Sequence, residues 1–316
     1  MSTSTSPRRS RMITAVVAAA AVGVLAGSLG TMALRDGGTE STATPSAESS
    51  TATTAASTDG QTVELAHDVS GSGPLVVLIH GITEDRRSWD PVTPQLAESA
   101  TVLRVDLRGH GESPAAPTDG DYRPTTLAAD VHAVVEQYAE DDQAPIVIGH
   151  SLGGIVATAY ASDFPTEAVV NVDQPLELGA MQGNVLAMED DLRSDAFNDT
   201  MLGMFAGMYG DLDQNDVTRL DAIRSPNQDA VLGIWGVLLD LDAEELTAVV
   251  EDYSTIPEDV RYLSVQGMAV PEDYPAWLDA QIPQNEYQVW GEVGHYPHLI
   301  EQDRFVELVS EVVAGS

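Results

Sequence analysis

Ser151 stands in the run Gly149-His150-Ser151-Leu152-Gly153, with one more glycine at Gly154. A serine hydroxyl attacks poorly until a base takes its proton, and a Gly-x-Ser-x-Gly turn is one way to hold such a hydroxyl clear of its own chain. As a string the pattern is weak: three fixed residue types at ~7% each, over about 300 starting points, give roughly 0.1 chance matches per chain. Its context is stronger. The apolar run 146–148 precedes it and the helical apolar spacing of 152–161 follows, so the serine falls where a strand turns sharply into a helix and only small neighbours fit. Three further loops place histidines or carboxylates directly after apolar runs. They are His80-Gly81-Ile82 after 75–79, Asp106-Leu107-Arg108-Gly109-His110-Gly111-Glu112-Ser113 after 102–105, and Gly291-Glu292-Val293-Gly294-His295-Tyr296-Pro297-His298 after 287–290.

Such loops act together only if a scaffold gathers the strand ends. Short β-branched apolar runs at 62–65, 75–79, 102–105, 146–148, 169–172, 262–265 and 287–290 predict strands, and the stretches 127–138, 152–161 and 305–313 have helical apolar spacing. This alternation predicts an α/β fold with a mostly parallel sheet covered on both faces, whose functional loops lie at the carboxyl ends of the strands. The alternation lapses between Asp173 and Arg261. Helical patterns fill those 87 residues, at 185–208, 217–223, 230–241 and 243–253, and predict an inserted all-helical cap at about 174–260.

Through these four motifs, in the family's order, residues 61–316 resemble the α/β-hydrolase superfamily, in its serine-nucleophile, lidded, esterase-like branch. The resemblance implies a Ser-His-acid triad with Ser151 as nucleophile and His295 as general base and then general acid. It also implies an oxyanion hole from the backbone amides of Ile82 and Leu152. His298 is the rival base, but His295 directly follows Gly294 in the loop after the last strand, where the family places it. His80, His110 and His150 are expected to hold loop geometry or line the pocket floor, and His67 and His132 to be packing or surface residues.

The acid departs from the family's common pattern. Many relatives carry it a few residues after the strand at 262–265, in a Gly-x-x-Asp context, but here Gly267 is followed by Met268, Ala269 and Val270. Glu272 and Asp273 come two or three residues late. The other position used in the superfamily is the end of the strand after the nucleophile helix, where Asp173 follows Val172. An Asp there would accept the imidazole N–H and hold the needed tautomer. Asp173 is therefore the expected acid, against a plainer role as a helix cap or loop acid, and against Glu272 or Asp273.

The expected function is cleavage of carboxylic esters through an acyl-enzyme, with a small apolar ester-like substrate. The same motifs serve lactonases, thioesterases, C–C hydrolases and perhydrolases, and a non-catalytic small-molecule receptor on this fold would keep them too. Serine rather than Asp at 151 argues against haloalkane dehalogenases and epoxide hydrolases, which need a carboxylate nucleophile. In the cap, Met181, Met188, Met201, Met204 and Met208 with Leu186, Phe197, Phe205, Trp235 and Leu238 predict an adaptable apolar surface facing the serine, unless they only pack the cap on itself and on the core.

The chain has 316 residues with no cysteine and no lysine, and 14 arginines against 50 acids give a formal charge of −36. Disulfides and thiolate sites are excluded, and nucleic acid is disfavoured as a partner. The sequence has no His-x-x-x-His helix and no Gly-x-Gly-x-x-Gly loop, so neither a metal nor a cofactor is expected. Residues 1–35 hold four arginines and no acid. Arg8, Arg9 and Arg11 precede an uncharged run at 12–34 that is 23 residues long, which predicts an export signal or an uncleaved membrane anchor. Residues 36–60, rich in Ser, Thr and Ala, predict a flexible linker. The folded domain at 61–316 is then exported, either secreted or tethered to the outer face of the cell membrane, with membrane contact only through that anchor.

Overall fold

A computed structural model of the chain describes residues 62–117, 121–139 and 143–315. The expected export segment and linker lie outside the described residues. Within them are seven strands: β1 (His67–Gly71), β2 (Leu75–Ile79), β3 (Thr101–Val105), β4 (Ile146–His150), β5 (Ala168–Val172), β6 (Arg261–Gln266) and β7 (Asn285–Val289). They form one sheet of order β1-β3-β2-β4-β5-β6-β7, in which β1 runs antiparallel to β3 and every other pair is parallel.

Successive side chains on a strand point to opposite faces. Val77, Ile79 and Val147 enter the core shared with helices Pro124–Val135 and Leu152–Asp163, whereas Val76, Leu78, Ile146 and Ile148 enter the one shared with helix Gln302–Ala314. Both faces are covered, which is why β2 and residues 146–148 of β4 are unbroken apolar runs rather than alternating ones. Each such side chain contributes about 1.5–3 kcal/mol on full burial, so the centre of the sheet is the part most strongly specified. The first ten residues of helix Leu152–Asp163 are all buried, as a helix apolar on every side requires.

Two expectations are corrected. The apolar run 62–65 is not a strand: Val63 and Leu65 pack on the core, the Val63 N–H donates to Asp130 Oδ1 at 2.9 Å, and the edge strand is the more polar His67–Gly71 that follows. Alternation there signalled burial rather than sheet pairing, and an edge strand needs few apolar residues. The inserted segment between β5 and β6 holds, among the described residues, seven helices instead of four: Gly179–Leu186, Glu189–Leu192, Phe197–Ala206, Gln214–Ile223, Gln228–Ile234, Gly236–Asp240 and Ala243–Ser254. Three of these begin at capping side chains. Asp213 accepts from the Asn215 N–H, Asn227 from the Ala230 N–H, and Asp242 forms a capping box with Glu245. Caps of this kind are worth about 1 kcal/mol each, enough to mark helix starts within a continuous apolar pattern.

Candidate active site

Ser151 joins β4 to helix Leu152–Asp163 with φ at +52°, in the left-handed region. The turn closes only because Gly149 and Gly153, two positions to either side, lack side chains. A Cβ on Gly149 would lie 1.8 Å from the Gly153 carbonyl oxygen, and one on Gly153 would lie 2.2 Å from that of Ile79. Among the described non-glycine residues, only Thr83, Ser151 and Asp173 have positive φ. Such conformations cost about 1–3 kcal/mol each and persist where the surroundings enforce them, typically at functional sites.

Asp173 directly follows β5. Its Oδ2 lies 2.6 Å from His295 Nδ1, and its Oδ1 accepts the backbone N–H groups of Gly267 (2.7 Å) and Met268 (2.9 Å) at the end of β6. The stretch that lacks the family's usual acid thus donates to the acid delivered by the neighbouring strand. Burial pushes the Asp173 carboxyl up, but the His295 bond and the two amide donors outweigh it and hold the group below the ordinary carboxylate range. An ionised carboxylate only accepts, so the His295 proton sits on Nδ1. Its Nε2 is buried and has no hydrogen-bond partner among the described residues. Burial lowers the His295 pKa, against the opposing pull of Asp173.

Ser151 lines a cleft of about 530 Å³, a volume that includes the space open to solvent at its mouth. Ile82 and Leu152 line it as well, and Met181, Trp235, Leu238 and Val249 line it from the inserted segment; no ionised side chain takes part. Of the apolar residues expected to face the serine, Met181, Trp235 and Leu238 line the cleft, and the other four methionines, Leu186, Phe197 and Phe205 do not. Met201 is fully buried, Met188, Met204 and Met208 pack against the core, and Phe205 lies beneath the Arg224 guanidinium. Helical spacing located the apolar faces without saying which of them the cleft would open onto.

The remaining candidates take other places. Glu272 and Asp273 are exposed where helix Tyr274–Gln281 begins. His298 is buried between the rings of Trp89 and His150, with neither nitrogen hydrogen-bonded among the described residues. His150 Nε2 donates to the His295 carbonyl at 2.7 Å, while His80 donates to the Gly81 carbonyl at 2.7 Å and accepts the Leu107 N–H at 3.0 Å. His110 reaches the Arg108 carbonyl, His67 the Tyr138 hydroxyl, and His132 stacks on Phe164. In the loop after β3, Asp106 pairs with Arg86, and Arg108 pairs with Asp130 at 2.5 Å, so these charges brace the scaffold. No group of three or more His, Cys, Asp or Glu is placed to hold a metal among the described residues.

Sequence reasoning missed one feature, a buried cluster of Glu84, Arg224 and Tyr296 beside the Asp173–His295 pair. Glu84 is 140 positions from Arg224 and 212 from Tyr296, and no local signal in a single sequence links residues so far apart.

Residues 76–308 match the alpha/beta hydrolase family. The chain is 29% identical over 261 residues to a pimeloyl-[acyl-carrier protein] methyl ester esterase of Vibrio atlanticus, covering 77% of this chain and 95% of that one. It is 26% identical over 277 residues to an uncharacterised protein of Mycobacterium tuberculosis, covering 76% and 75%. Among solved structures, an esterase from Exiguobacterium antarcticum superposes with a TM-score of 0.65 at 22% identity, over 79% of this chain and 95% of that one. An E-2-(acetamidomethylene)succinate hydrolase superposes with a TM-score of 0.63 at 20% identity, over 79% and 95%. These two structural likenesses speak to the fold.

Proposed function

The chain belongs to the alpha/beta hydrolase family and is an enzyme, a hydrolase, and from that premise we propose that it cleaves neutral, apolar carboxylic esters through an acyl-enzyme on Ser151. The observation that carries this reading is the 2.6 Å contact between Asp173 Oδ2 and His295 Nδ1, which leaves Nε2 as the ring nitrogen to take the serine proton. Attack by the Ser151 hydroxyl on the ester carbonyl transfers that proton to Nε2, and the tetrahedral oxyanion is held by the amides of Ile82 and Leu152. Collapse returns the proton from His295 to the departing alcohol. Water, deprotonated by the same Nε2, then attacks the acyl-enzyme; the acid leaves and Ser151 regains its proton. The uncharged lining of the cleft supports a neutral substrate, because an anion would enter against a formal −36 with no cation to receive it. An ester is also the named substrate of the Vibrio relative.

Purified protein offered p-nitrophenyl esters of graded acyl length tests the reading: turnover is expected, with a transient acyl adduct on Ser151 seen by mass spectrometry. Failure to hydrolyse any chain length would end the ester proposal.

Two results follow from the site. Nε2 acts only when unprotonated, and burial holds the His295 pKa down. The kcat/KM for a p-nitrophenyl ester should therefore be level at neutral pH and fall as pH drops through a value below the ~6.5 of a free imidazole. Asp173, already held low, stays ionised across that limb. A midpoint on the alkaline side of neutrality would contradict this placement. In the cleft, Trp235→Ala or Leu238→Ala should shift the preferred acyl length upward, since both side chains line it. Met204→Ala, which alters core packing, should leave the preference in place. An unchanged preference in the first two variants would remove the inserted helices from substrate selection.

We further propose that residues 1–35 export the enzyme or anchor it, and that residues 36–60 tether the hydrolase domain outside the cytoplasm. Fractionation of cells carrying the full chain tests this, and activity confined to the cytosol would exclude it.

A further inference from the structure

We propose that Arg224 is a positioning residue of the hydrolytic site, fixing the oxyanion loop and the histidine loop against each other from within the inserted helical segment. The proposal rests on the reading of Ser151 as nucleophile. Arg224 follows helix Gln214–Ile223 and its side chain is fully buried. Nη1 donates to Thr83 Oγ1 at 2.8 Å, and Nη2 donates to Glu84 Oε1 at 3.0 Å and to the Tyr296 hydroxyl at 2.6 Å. That hydroxyl in turn donates to Glu84 Oε1 at 2.7 Å. Thr83 directly follows Ile82, and Tyr296 directly follows His295, so one guanidinium holds the chain neighbour of an oxyanion donor and the chain neighbour of the base.

Further contacts tie the brace to the site. Thr83 is one of the three left-handed non-glycine residues, and consecutive residues of the inserted segment grip it twice: Arg224 at its hydroxyl, and the Ser225 N–H at its carbonyl, 2.9 Å away. The histidine loop is gripped as well, because the His295 N–H donates to the Met208 carbonyl at 3.0 Å and the Asp211 N–H to the Val293 carbonyl at 2.7 Å. Glu84 Oε2 lies 3.8 Å from His150 Nδ1, and His150 Nε2 donates to the His295 carbonyl. Arg224 thus links Thr83, Glu84 and Tyr296 directly, and His150 stands between Glu84 and the His295 carbonyl without a hydrogen bond to the carboxylate. A buried ion pair is an inefficient way to add stability, since apolar groups of similar size often do as well. What this pair supplies is direction: a planar fork with fixed donors.

The test compares wild type with Arg224→Met, the double variant Arg224→Met/Glu84→Gln, and Tyr296→Phe. Each is measured for ester kcat and KM, for the rate of fluorophosphonate labelling, and for melting temperature. Arg224→Met alone strands a buried carboxylate and is expected to lose stability. The double variant removes both charges and should recover the melting temperature, yet kcat and labelling rate should stay about 10²-fold down, the scale of a small misplacement of reacting groups. KM should hold close to wild type, because no residue lining the cleft has changed. Tyr296→Phe keeps the ring and both charges and should lower kcat in the same direction by a smaller factor. Turnover that returns with stability in the double variant, or a Tyr296→Phe enzyme as fast as wild type, would overturn the proposal and leave the cluster a structural pair. Wild-type protein that takes no label at Ser151 would instead strike the nucleophile assignment beneath it.

Discussion

Replacing Ser151 by Ala is expected to lower ester turnover by a factor on the order of 10⁶, the loss seen when a serine nucleophile is removed from a comparable triad. The magnitude follows from the site's division of labour. Asp173 and His295 prepare a proton acceptor, and without the hydroxyl there is nothing for it to act on. What survives is the binding cleft and any oxyanion donors, which act on water without covalent help. The variant should fold as the parent does, since alanine keeps the Cβ and the backbone keeps its Ser151 N–H bond to the Val172 carbonyl at 3.0 Å. Fluorophosphonate labelling should vanish while the melting temperature holds. Label that persists on the variant would mean that another residue is the nucleophile.

Asp173→Asn should cost about 10⁴ in turnover, by a different route. The asparagine carbonyl can still accept the Gly267 and Met268 amides, so the side chain keeps its place. Its NH₂ group then faces His295 Nδ1, which must accept rather than donate. The ring proton moves to Nε2, and the nitrogen that should receive the serine proton already carries one. The loss should appear in kcat with little change in KM. Glu272→Gln and Asp273→Asn, both at exposed positions, should turn over at the parental rate. An Asp173→Asn enzyme close to wild type, or a Glu272→Gln enzyme that is not, would move the acid's role elsewhere.

The local grammar of the sequence determined much of this protein. Three consecutive β-branched or aliphatic residues before Gly149 and an apolar helix after Ser151 predicted β4, the elbow and the α/β class. They are short-range signals: strand burial on both faces, and a turn too tight for any residue larger than glycine at positions 149 and 153. The pattern failed where two physical states write the same string. Val63 and Leu65 alternate like a strand but pack on the core without strand pairing, and the apolar spacing of 185–208 is shared by three helices. Asp173 was legible as a strand-end carboxylate, but its meeting with His295, 122 positions away, was decided by the adjacency of β5, β6 and β7 in the sheet. The same adjacency brings Gly267 and Met268 to Asp173, so that backbone donors occupy the ground where a carboxylate was sought. Arg224, Glu84 and Tyr296 carried no local signal, because each is an ordinary residue in its own segment. Only tertiary packing, by excluding water from all three at once, turned one hydroxyl and two charges into a brace whose partners had to find each other.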